Sequence, residues 1–102
     1  DYVEAMWLMM QLEEPSDFVI GTGKSHKVKD LVEASFSRVN LDWKDFVVVD
    51  EHLFRPAEVD RLIANPAKAK SVLGWEPKTD FRSLINLMVD ADLDLAKREQ
   101  RL

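Results

Sequence analysis

The sequence has 102 residues, the size of one small domain, and its 46% hydrophobic and 32% charged residues are ordinary for a globular protein. A net charge of −5 argues against nucleic-acid or anionic-membrane partners, because both require a basic face. There is no cysteine, which excludes disulfides, thiolate catalysis and cysteine-ligated metals and fits a reducing compartment. We therefore expect a cytoplasmic protein that binds neither nucleic acid nor membranes.

The chain starts inside a helical pattern and without methionine, so we expect either a fragment of a longer protein or a processed chain. A first helix is predicted by four apolar residues that recur at helical intervals and would lie on one face: Val3, Met6, Trp7 and Met10. Because Ala5, Leu8 and Met9 widen that face, we expect this first helix to be covered on more than one side. Pro15 marks its end.

Short strands are predicted in the middle of the chain. Phe18–Ile20 and Phe46–Val49 are continuously apolar and β-prone, and Leu62–Ile63 offers a very short third strand. Between the first two strands, apolar residues recur with helical spacing over residues 28–39, and Ser25 is a candidate N-cap.

The last third of the sequence predicts two helices. A short helix starts at Asn65–Pro66 and ends at Gly74 in the left-handed conformation, with Trp75 packing back on its last turn. A long helix follows over about residues 81–97. The order of elements predicts a mixed α/β fold, too short to be a complete doubly wound nucleotide-binding fold.

The stretch Gly-Thr-Gly-Lys-Ser at residues 21–25 invites comparison with a phosphate-binding loop. Only its last three residues match the end of such a loop, whose first glycine would fall at Phe18. Gly21 and Gly23 span too little chain to wrap a phosphate with backbone amides. Glycines of a tight strand-to-helix turn are the better interpretation, and nucleotide binding at Lys24 is kept as an alternative.

Metal and catalytic chemistry find little support in the sequence. The two histidines, His26 and His52, have no carboxylates at a metal-binding spacing. Asp90, Asp92 and Asp94 alternate along the last predicted helix without sharing a face, and we expect them to be solvated. No nucleophile, base and oxyanion donor come together, so we predict no catalytic residue and no metal site in this chain.

Arg55 and Glu58 are the strongest candidate binding residues. They lie in an irregular segment after a predicted strand, where binding residues commonly occur. Pro56 restricts the backbone of Arg55 to extended forms, so a planar guanidinium suited to phosphate is presented at a defined place. Glu58 could accept hydrogen bonds from ribose hydroxyls. Spacing alone favours an ordinary surface ion pair, which contributes little to stability.

Four segments resemble, in the same order, the C-terminal part of the extended short-chain dehydrogenases/reductases that act on nucleotide sugars. They are DYVEAMWLMM, FVIGTGKSHKVKDLVEASF, FRPAEVDRLIANPAKAKSVLGWEPKTDF and LINLMVDADLDL. The sequence is most similar to the GDP-mannose 4,6-dehydratases, in which Asp-Tyr-Val-Glu-Ala-Met-Trp and Phe-Arg-Pro-x-Glu-Val-Asp occur together. Each motif is modest alone, but four in order over nearly the whole chain are specific.

This resemblance implies a fold class and a division into domains. The fold is α/β: residues 1–23 would supply the last helix and strand of a Rossmann domain that binds NADP. Residues 24–102 would form most of a small mixed α/β domain that binds the nucleotide sugar. The cofactor loop and the catalytic groups of the family lie upstream, so we expect the isolated chain to bind no cofactor and to be inactive.

The resemblance also implies an activity. The full-length enzyme would be an NADP-dependent lyase that oxidises GDP-D-mannose at C4, removes water across C5 and C6, and reduces C6. Its product would be GDP-4-dehydro-6-deoxy-D-mannose, on the route to GDP-fucose or GDP-rhamnose. Matched residue by residue, Arg55 would bind the diphosphate of GDP and Glu58 the nucleoside side. The partners would be GDP-mannose and the Rossmann domain of the same protein, in a parent that forms homo-oligomers.

Two departures from the family pattern are visible. Lys27 stands where relatives often have a serine that caps the helix, which shifts the expected cap to Ser25, and the connector over residues 40–50 is short. Three other interpretations stay open: another nucleotide-sugar epimerase or reductase with the same ending, a phosphate-loop nucleotide binder, and an interaction domain without a ligand.

Overall fold

The computed structural model describes residues 1–58 and 61–101, which form helices, turns and extended segments. The α-helices are α1 (Tyr2–Met10), α2 (Val28–Arg38) and α3 (Phe81–Gln100). Shorter helical turns are the 3₁₀ turns Trp43–Asp45 and Glu51–Leu53 and the π-helical turn Ala69–Leu73. The chain divides into two compact units, the first made of Asp1–Ser25 and Val59–Thr79, the second of His26–Glu58 and Asp80–Leu102.

The first unit is built around Trp75. This side chain is 1% exposed and packs with Ala5 of α1 and Ala69 of the π-helical turn. Its indole Nε1 donates a hydrogen bond to the Asp1 carbonyl at 2.9 Å. The Asp1 carboxylate accepts from the backbone N–H groups of residues 78 and 79, at 3.0 and 2.9 Å. The start of α1 is therefore fastened to the segment that follows Trp75.

The apolar face predicted for α1 is exposed, and the expectation that it is buried is wrong for this structure. The exposed side chains are Val3 at 76%, Met6 at 63%, Trp7 at 62% and Met10 at 81%. The core of the unit packs against Ala5 and Leu8 instead. Because Trp75 reaches only the Ala5 side of the helix, the opposite side faces solvent.

The helix start and stop signals around the π-helical turn are confirmed. The Asn65 side chain accepts a hydrogen bond from the Ala67 N–H at 3.1 Å. Gly74 ends the turn in the left-handed conformation at φ 66°, and the Trp75 N–H donates to the Ala69 carbonyl at 3.3 Å. These local signals are read correctly because every partner lies within a few residues.

The predicted strands are wrong for the described residues, which form helices, turns and extended segments but no strand. Phe18–Ile20, Phe46–Val49 and Leu62–Ile63 carry no strand. A strand needs a neighbour to complete its ladder of backbone hydrogen bonds, and the described part of the chain provides no such ladder. The division at residue 23 into a Rossmann part and a substrate-binding part stays a prediction.

The second unit pairs α2 with α3. Ala34 of α2, 4% exposed, and Ile85 of α3, 2% exposed, are its buried apolar residues. Arg38 and Asp90 tie the two helices together through two hydrogen bonds, Nε to Oδ1 at 2.9 Å and Nη2 to Oδ2 at 2.7 Å.

The predicted cap of α2 is wrong. The helix is capped at Lys27 rather than at Ser25, because the carboxylate of Asp30 accepts from the Lys27 backbone N–H at 2.9 Å. At the other end of the helix, Asn40 adopts φ 59° and the Leu41 N–H donates to the Phe36 carbonyl at 3.0 Å. Such a left-handed residue is a common way to close a helix.

Candidate functional site

The loop that carries Arg55 is set up by a capped 3₁₀ turn. Asp50 precedes that turn, and its Oδ1 accepts a hydrogen bond from the His52 N–H at 2.9 Å. The turn ends at Phe54, which is extended at φ −69° and ψ 135°. Pro56 follows Arg55 and favours extended backbone there as well. The guanidinium is thus presented by a short segment with a defined entry.

The structure brings Arg55 and Glu58 together. Arg55 Nη1 lies 3.5 Å from Glu58 Oε2, and the two side chains are 76% and 63% exposed. An ion pair this exposed is weak, because water screens the charges and both side chains keep their freedom. A guanidinium has five N–H donors, so a phosphate ligand can replace or share this contact. The binding roles of the two residues stay predictions, and residues 59 and 60 of the same motif lie outside the described part of the chain.

The glycine-rich turn is filled by protein rather than open to a phosphate. A Cβ atom placed on Gly21 would lie 2.5 Å from the Cβ of Ala64, and Gly23 adopts φ 77°. The Thr22 hydroxyl accepts from the Lys24 N–H at 3.2 Å and closes the turn. α2 starts only at Val28, so Lys24 does not sit at a helix N-terminus. This geometry fits the turn interpretation and does not fit a dinucleotide or phosphate loop.

Other polar groups singled out in the sequence have structural partners. The His26 ring stacks on Phe81 with centroids 3.9 Å apart and an interplanar angle of 5°. Asp90 and Asp94 are exposed, as expected, and each forms an ion pair. Asp90 pairs with Arg38 at 2.7 Å, a contact that no local spacing indicates, and Asp94 pairs at 2.6 Å with Arg98, four residues further along the same helix. Within residues 1–58 and 61–101, no group of three or more histidines and carboxylates is placed to hold a metal.

Lys68 is a positioning residue that the sequence analysis missed. Its Nζ donates to Ser16 Oγ at 2.6 Å and to the Asp17 carbonyl at 2.7 Å, and lies 4.8 Å from the centre of the Phe18 ring. The lysine is 52 residues from Ser16 in sequence, so no local pattern indicates the contact. It holds the segment before the glycine turn against the π-helical turn region.

Two ion pairs shift the ionisation of their members. The hydrogen bonds from Arg38 hold the pKa of the Asp90 carboxyl below its usual range, and the same contact raises the pKa of Arg38. Lys70 and Glu76, whose Nζ and Oε1 lie 2.8 Å apart, behave alike: their hydrogen bond raises the pKa of Lys70 and lowers that of Glu76. Both pairs are solvent-exposed, and neither lies beside Arg55 in the sequence.

An apolar groove of about 320 Å³ lies between α2 and α3 in the second unit. It is lined by Ser35, Phe36, Val39, Val89, Asp92 and Leu93. The groove offers a single carboxylate and no cationic group, so it is unsuited to a phosphate-bearing ligand. Elsewhere in the described residues, no helix combines the length and apolar character needed to cross a membrane.

The sequence of the chain also matches a known protein family. The family model described as GDP-mannose 4,6 dehydratase matches residues 1–88. That range includes the glycine turn, the segment with Arg55 and Glu58, and the first turns of α3.

Individual relatives resemble the chain along almost its full length. GDP-mannose 4,6 dehydratase 1 of Arabidopsis thaliana is 55% identical over 102 residues, which are 100% of this chain and 28% of the relative. The proteins named GDP-mannose 4,6 dehydratase in Dictyostelium discoideum and Homo sapiens are 44% and 42% identical over 95% of this chain, or 32% and 31% of their own lengths. The chain therefore spans less than a third of each of these relatives and corresponds to their C-terminal portion.

Proposed function

This chain belongs to the GDP-mannose 4,6-dehydratase family, and we propose that it is the substrate-binding part of an enzyme that converts GDP-D-mannose to GDP-4-dehydro-6-deoxy-D-mannose. The reaction removes water from the hexose, so the full-length enzyme is a lyase. Support comes from the family match over residues 1–88 and from the names of the relatives.

Within the chain, the observation that carries the proposal is the exposed Arg55–Glu58 pair. The Arg55 side chain is 76% exposed, and within the described residues its contact is a single long ion pair at 3.5 Å, so further N–H donors can be offered to a diphosphate. Glu58 lies on the same loop with its carboxylate turned to Arg55, a position from which it can accept hydrogen bonds from a ribose. In this proposal Arg55 binds the diphosphate of GDP and Glu58 binds the nucleoside side.

The proposal assigns the cofactor and the reacting groups to the rest of the full-length protein. The one glycine-rich turn in the described residues is packed by Ala64 and does not fit NADP, so no cofactor contact is assigned to this chain. NADP specificity, a cytoplasmic location and a homo-oligomeric parent complete the proposal and rest on the family resemblance. The α/β character belongs to that parent as well, with Phe18–Ile20 pairing as the last strand of its Rossmann domain.

The test is GDP binding and turnover by the full-length enzyme with Arg55→Ala. A hydrogen bond to a charged group contributes about 1.5–3 kcal/mol, so we expect GDP to bind about 10- to 100-fold more weakly. Arg55→Lys keeps the charge but loses the planar fork, and should recover only part of the affinity. Arg82→Ala, an exposed arginine in the same compact unit, is the matched control and should bind GDP as the wild type does.

Two results would contradict the proposal. Unchanged GDP affinity in Arg55→Ala would remove the assigned site, and loss of binding in Lys24→Ala instead would favour the phosphate-loop interpretation. Turnover of GDP-mannose by the purified 102-residue chain would show that this part of the protein carries the chemistry itself, which the proposal denies.

A further inference from the structure

Residues 48–58, the segment that carries Arg55, are exposed along their whole length. Leu53 and Phe54, the two residues before Arg55, are 79% and 66% exposed. The Arg55 side chain itself is 76% exposed. Side-chain packing therefore contributes little to the conformation of this segment. The position of the guanidinium depends on the backbone that carries it, and that backbone depends on local hydrogen bonds.

Three hydrogen bonds among the described residues hold the 3₁₀ turn that leads into the candidate site. The Leu53 N–H donates to the Asp50 carbonyl at 3.1 Å. The Phe54 N–H donates to the Glu51 carbonyl, also at 3.1 Å. The third bond is made by a side chain, because Asp50 Oδ1 accepts from the His52 N–H at 2.9 Å. This bond is the shortest of the three, and it depends on which side chain stands at position 50.

We propose that Asp50 is a positioning residue of the nucleotide-sugar site, which acts through the turn Glu51–Leu53 to hold the backbone of Arg55 ready for a diphosphate. This inference rests on the proposed function, because it requires that Arg55 binds the ligand. The Asp50 carboxylate accepts from the His52 N–H, and its negative charge would repel a diphosphate in direct contact. Its effect on binding is therefore exerted through the backbone of the turn.

The expected size of this effect follows from how ordered the turn is before the ligand binds. A ligand that binds one conformation of a loop loses apparent affinity in proportion to the fraction of molecules outside that conformation. An aspartate that accepts from the N–H two residues on stabilises a turn, and removing such a cap from a helix end typically lowers its stability by a factor of about five. We therefore expect the loss of the Asp50 cap to weaken GDP binding by about threefold to tenfold.

A second turn in the same compact unit is built in the same way and supplies a control. Asp42 Oδ1 accepts from the Lys44 N–H at 3.1 Å and caps the 3₁₀ turn Trp43–Asp45. This turn ends at Phe46, whose ring stacks on Phe36 of α2 with centroids 5.5 Å apart. Packing on α2 supports it, and it does not lead directly into the candidate site. Replacing Asp42 thus removes an equivalent cap from a different place.

The test measures GDP affinity of the full-length enzyme by isothermal titration calorimetry. Asp50→Ala should bind GDP about threefold to tenfold more weakly, whereas Asp50→Asn keeps a side-chain oxygen as acceptor and should bind as the wild type does. Asp42→Ala should also bind as the wild type does. Unchanged affinity in Asp50→Ala would overturn the proposal. So would an Asp50→Asn as weak as Asp50→Ala, which would assign the effect to charge, or an equal loss in Asp42→Ala, which would assign it to general stability.

A double-mutant cycle shows whether Asp50 acts through Arg55. In the Arg55→Ala background, the guanidinium that the turn presents is gone, so Asp50→Ala should lose most of its effect on GDP affinity. Losses that simply multiply in the double variant would overturn the proposal. With GDP-mannose as substrate, Asp50→Ala should raise KM by the same factor as it weakens GDP binding and leave kcat nearly unchanged, because the turn acts on binding.

The same set of proteins separates this inference from the proposed function. Weak GDP binding by Arg55→Ala beside normal binding by Asp50→Ala would refute the positioning role alone. Normal binding by Arg55→Ala would refute the proposed site and the positioning role together. A wild-type enzyme that does not dehydrate GDP-mannose, but whose variants show the expected pattern of GDP affinities, would refute the proposed reaction and leave the role of Asp50 in place.

Discussion

Gly21 shows how a single residue couples the glycine turn to the rest of its unit. Its missing side chain leaves room for Ala64, whose Cβ lies only 2.5 Å from the place a Gly21 Cβ would occupy. Gly74 is needed for a different reason, because it adopts φ 66°, while no described residue beyond its chain neighbours and its own helix backbone comes within 4 Å of its Cβ position. One glycine is therefore required by packing and the other by backbone conformation.

Gly21→Ala should destabilise the chain by about 1–3 kcal/mol, the usual cost of overpacking, because neither alanine can rotate away. Urea unfolding followed by circular dichroism measures the loss. The double variant Gly21→Ala/Ala64→Gly should recover most of it, since the clash needs both methyl groups. Gly74→Ala should lose about 1–2 kcal/mol through strain alone, and Ala64→Gly should not rescue it. Failure of the rescue at Gly21 would contradict the packing argument.

At the scale of the secondary-structure elements, an ion pair between Arg38 and Asp90 joins α2 to α3. Arg38 holds Asp90 through two hydrogen bonds of 2.9 and 2.7 Å, the planar arrangement in which arginine binds carboxylates best. The pair is solvent-exposed, with side-chain exposures of 42% and 52%, so it orients the helices more than it stabilises them.

This link predicts a sensitivity to acid. The pKa of Asp90 is lower in the folded state, so its contribution is present above the unfolded pKa of about 3.9 and is lost as the pH falls through the folded value. Thermal melts at falling pH should show a steeper loss of Tm below about pH 4 in the wild type than in Asp90→Asn. Asp92→Asn, on the same helix, is the control and should follow the wild type. Identical acid slopes for wild type and Asp90→Asn would contradict the role of the pair.

The helices and the end signals of the π-helical turn could be predicted from sequence because their determinants are local, although the cap of α2 lies at Lys27 rather than at Ser25. The signals at Asn65 and Gly74 act within one turn, and the apolar periodicity of α2 and α3 lies within each helix. The contacts that sequence did not indicate join distant residues, such as Arg38 to Asp90 across 52 positions. Apolar runs such as Phe18–Ile20 indicated strands, but the partner that turns a run into a strand is not encoded in the run itself.

The candidate site was predictable in part for the same reason. Arg55 and Glu58 are three residues apart, so their proximity follows from the sequence, and the structure places them 3.5 Å apart. Their exposure and the capped turn that leads to Arg55 required coordinates. For α1, periodicity identified apolar residues correctly, but Trp75, far along the chain, decides which side of the helix is covered.

At the scale of the whole molecule, the buried core is small for the length of the chain. Among the described residues, the buried apolar side chains are Ala5, Ala34, Ala69, Trp75 and Ile85. Three of these are alanines, whose burial removes little apolar surface from water. Large side chains that periodicity assigned to cores, including Met6, Trp7 and Met88, are more than half exposed. The free energy of unfolding of the isolated chain must therefore come from few contacts.

We expect the free energy of unfolding of the isolated chain to be below about 5 kcal/mol, the lower end of the range for native domains. The reason is that Trp75 and Ile85 are the only fully buried large side chains among the described residues. Urea titration followed by tryptophan fluorescence measures this value, and Trp75 should contribute most of the signal change, since Trp7 is already 62% exposed and Trp43 is only partly buried. Trp75→Phe should remove most of that change and the hydrogen bond to the Asp1 carbonyl, whereas Trp7→Phe should change neither the midpoint nor the slope. A cooperative transition well above that free energy would mean that the exposed faces of α1 and α3 need no partner to stabilise the fold.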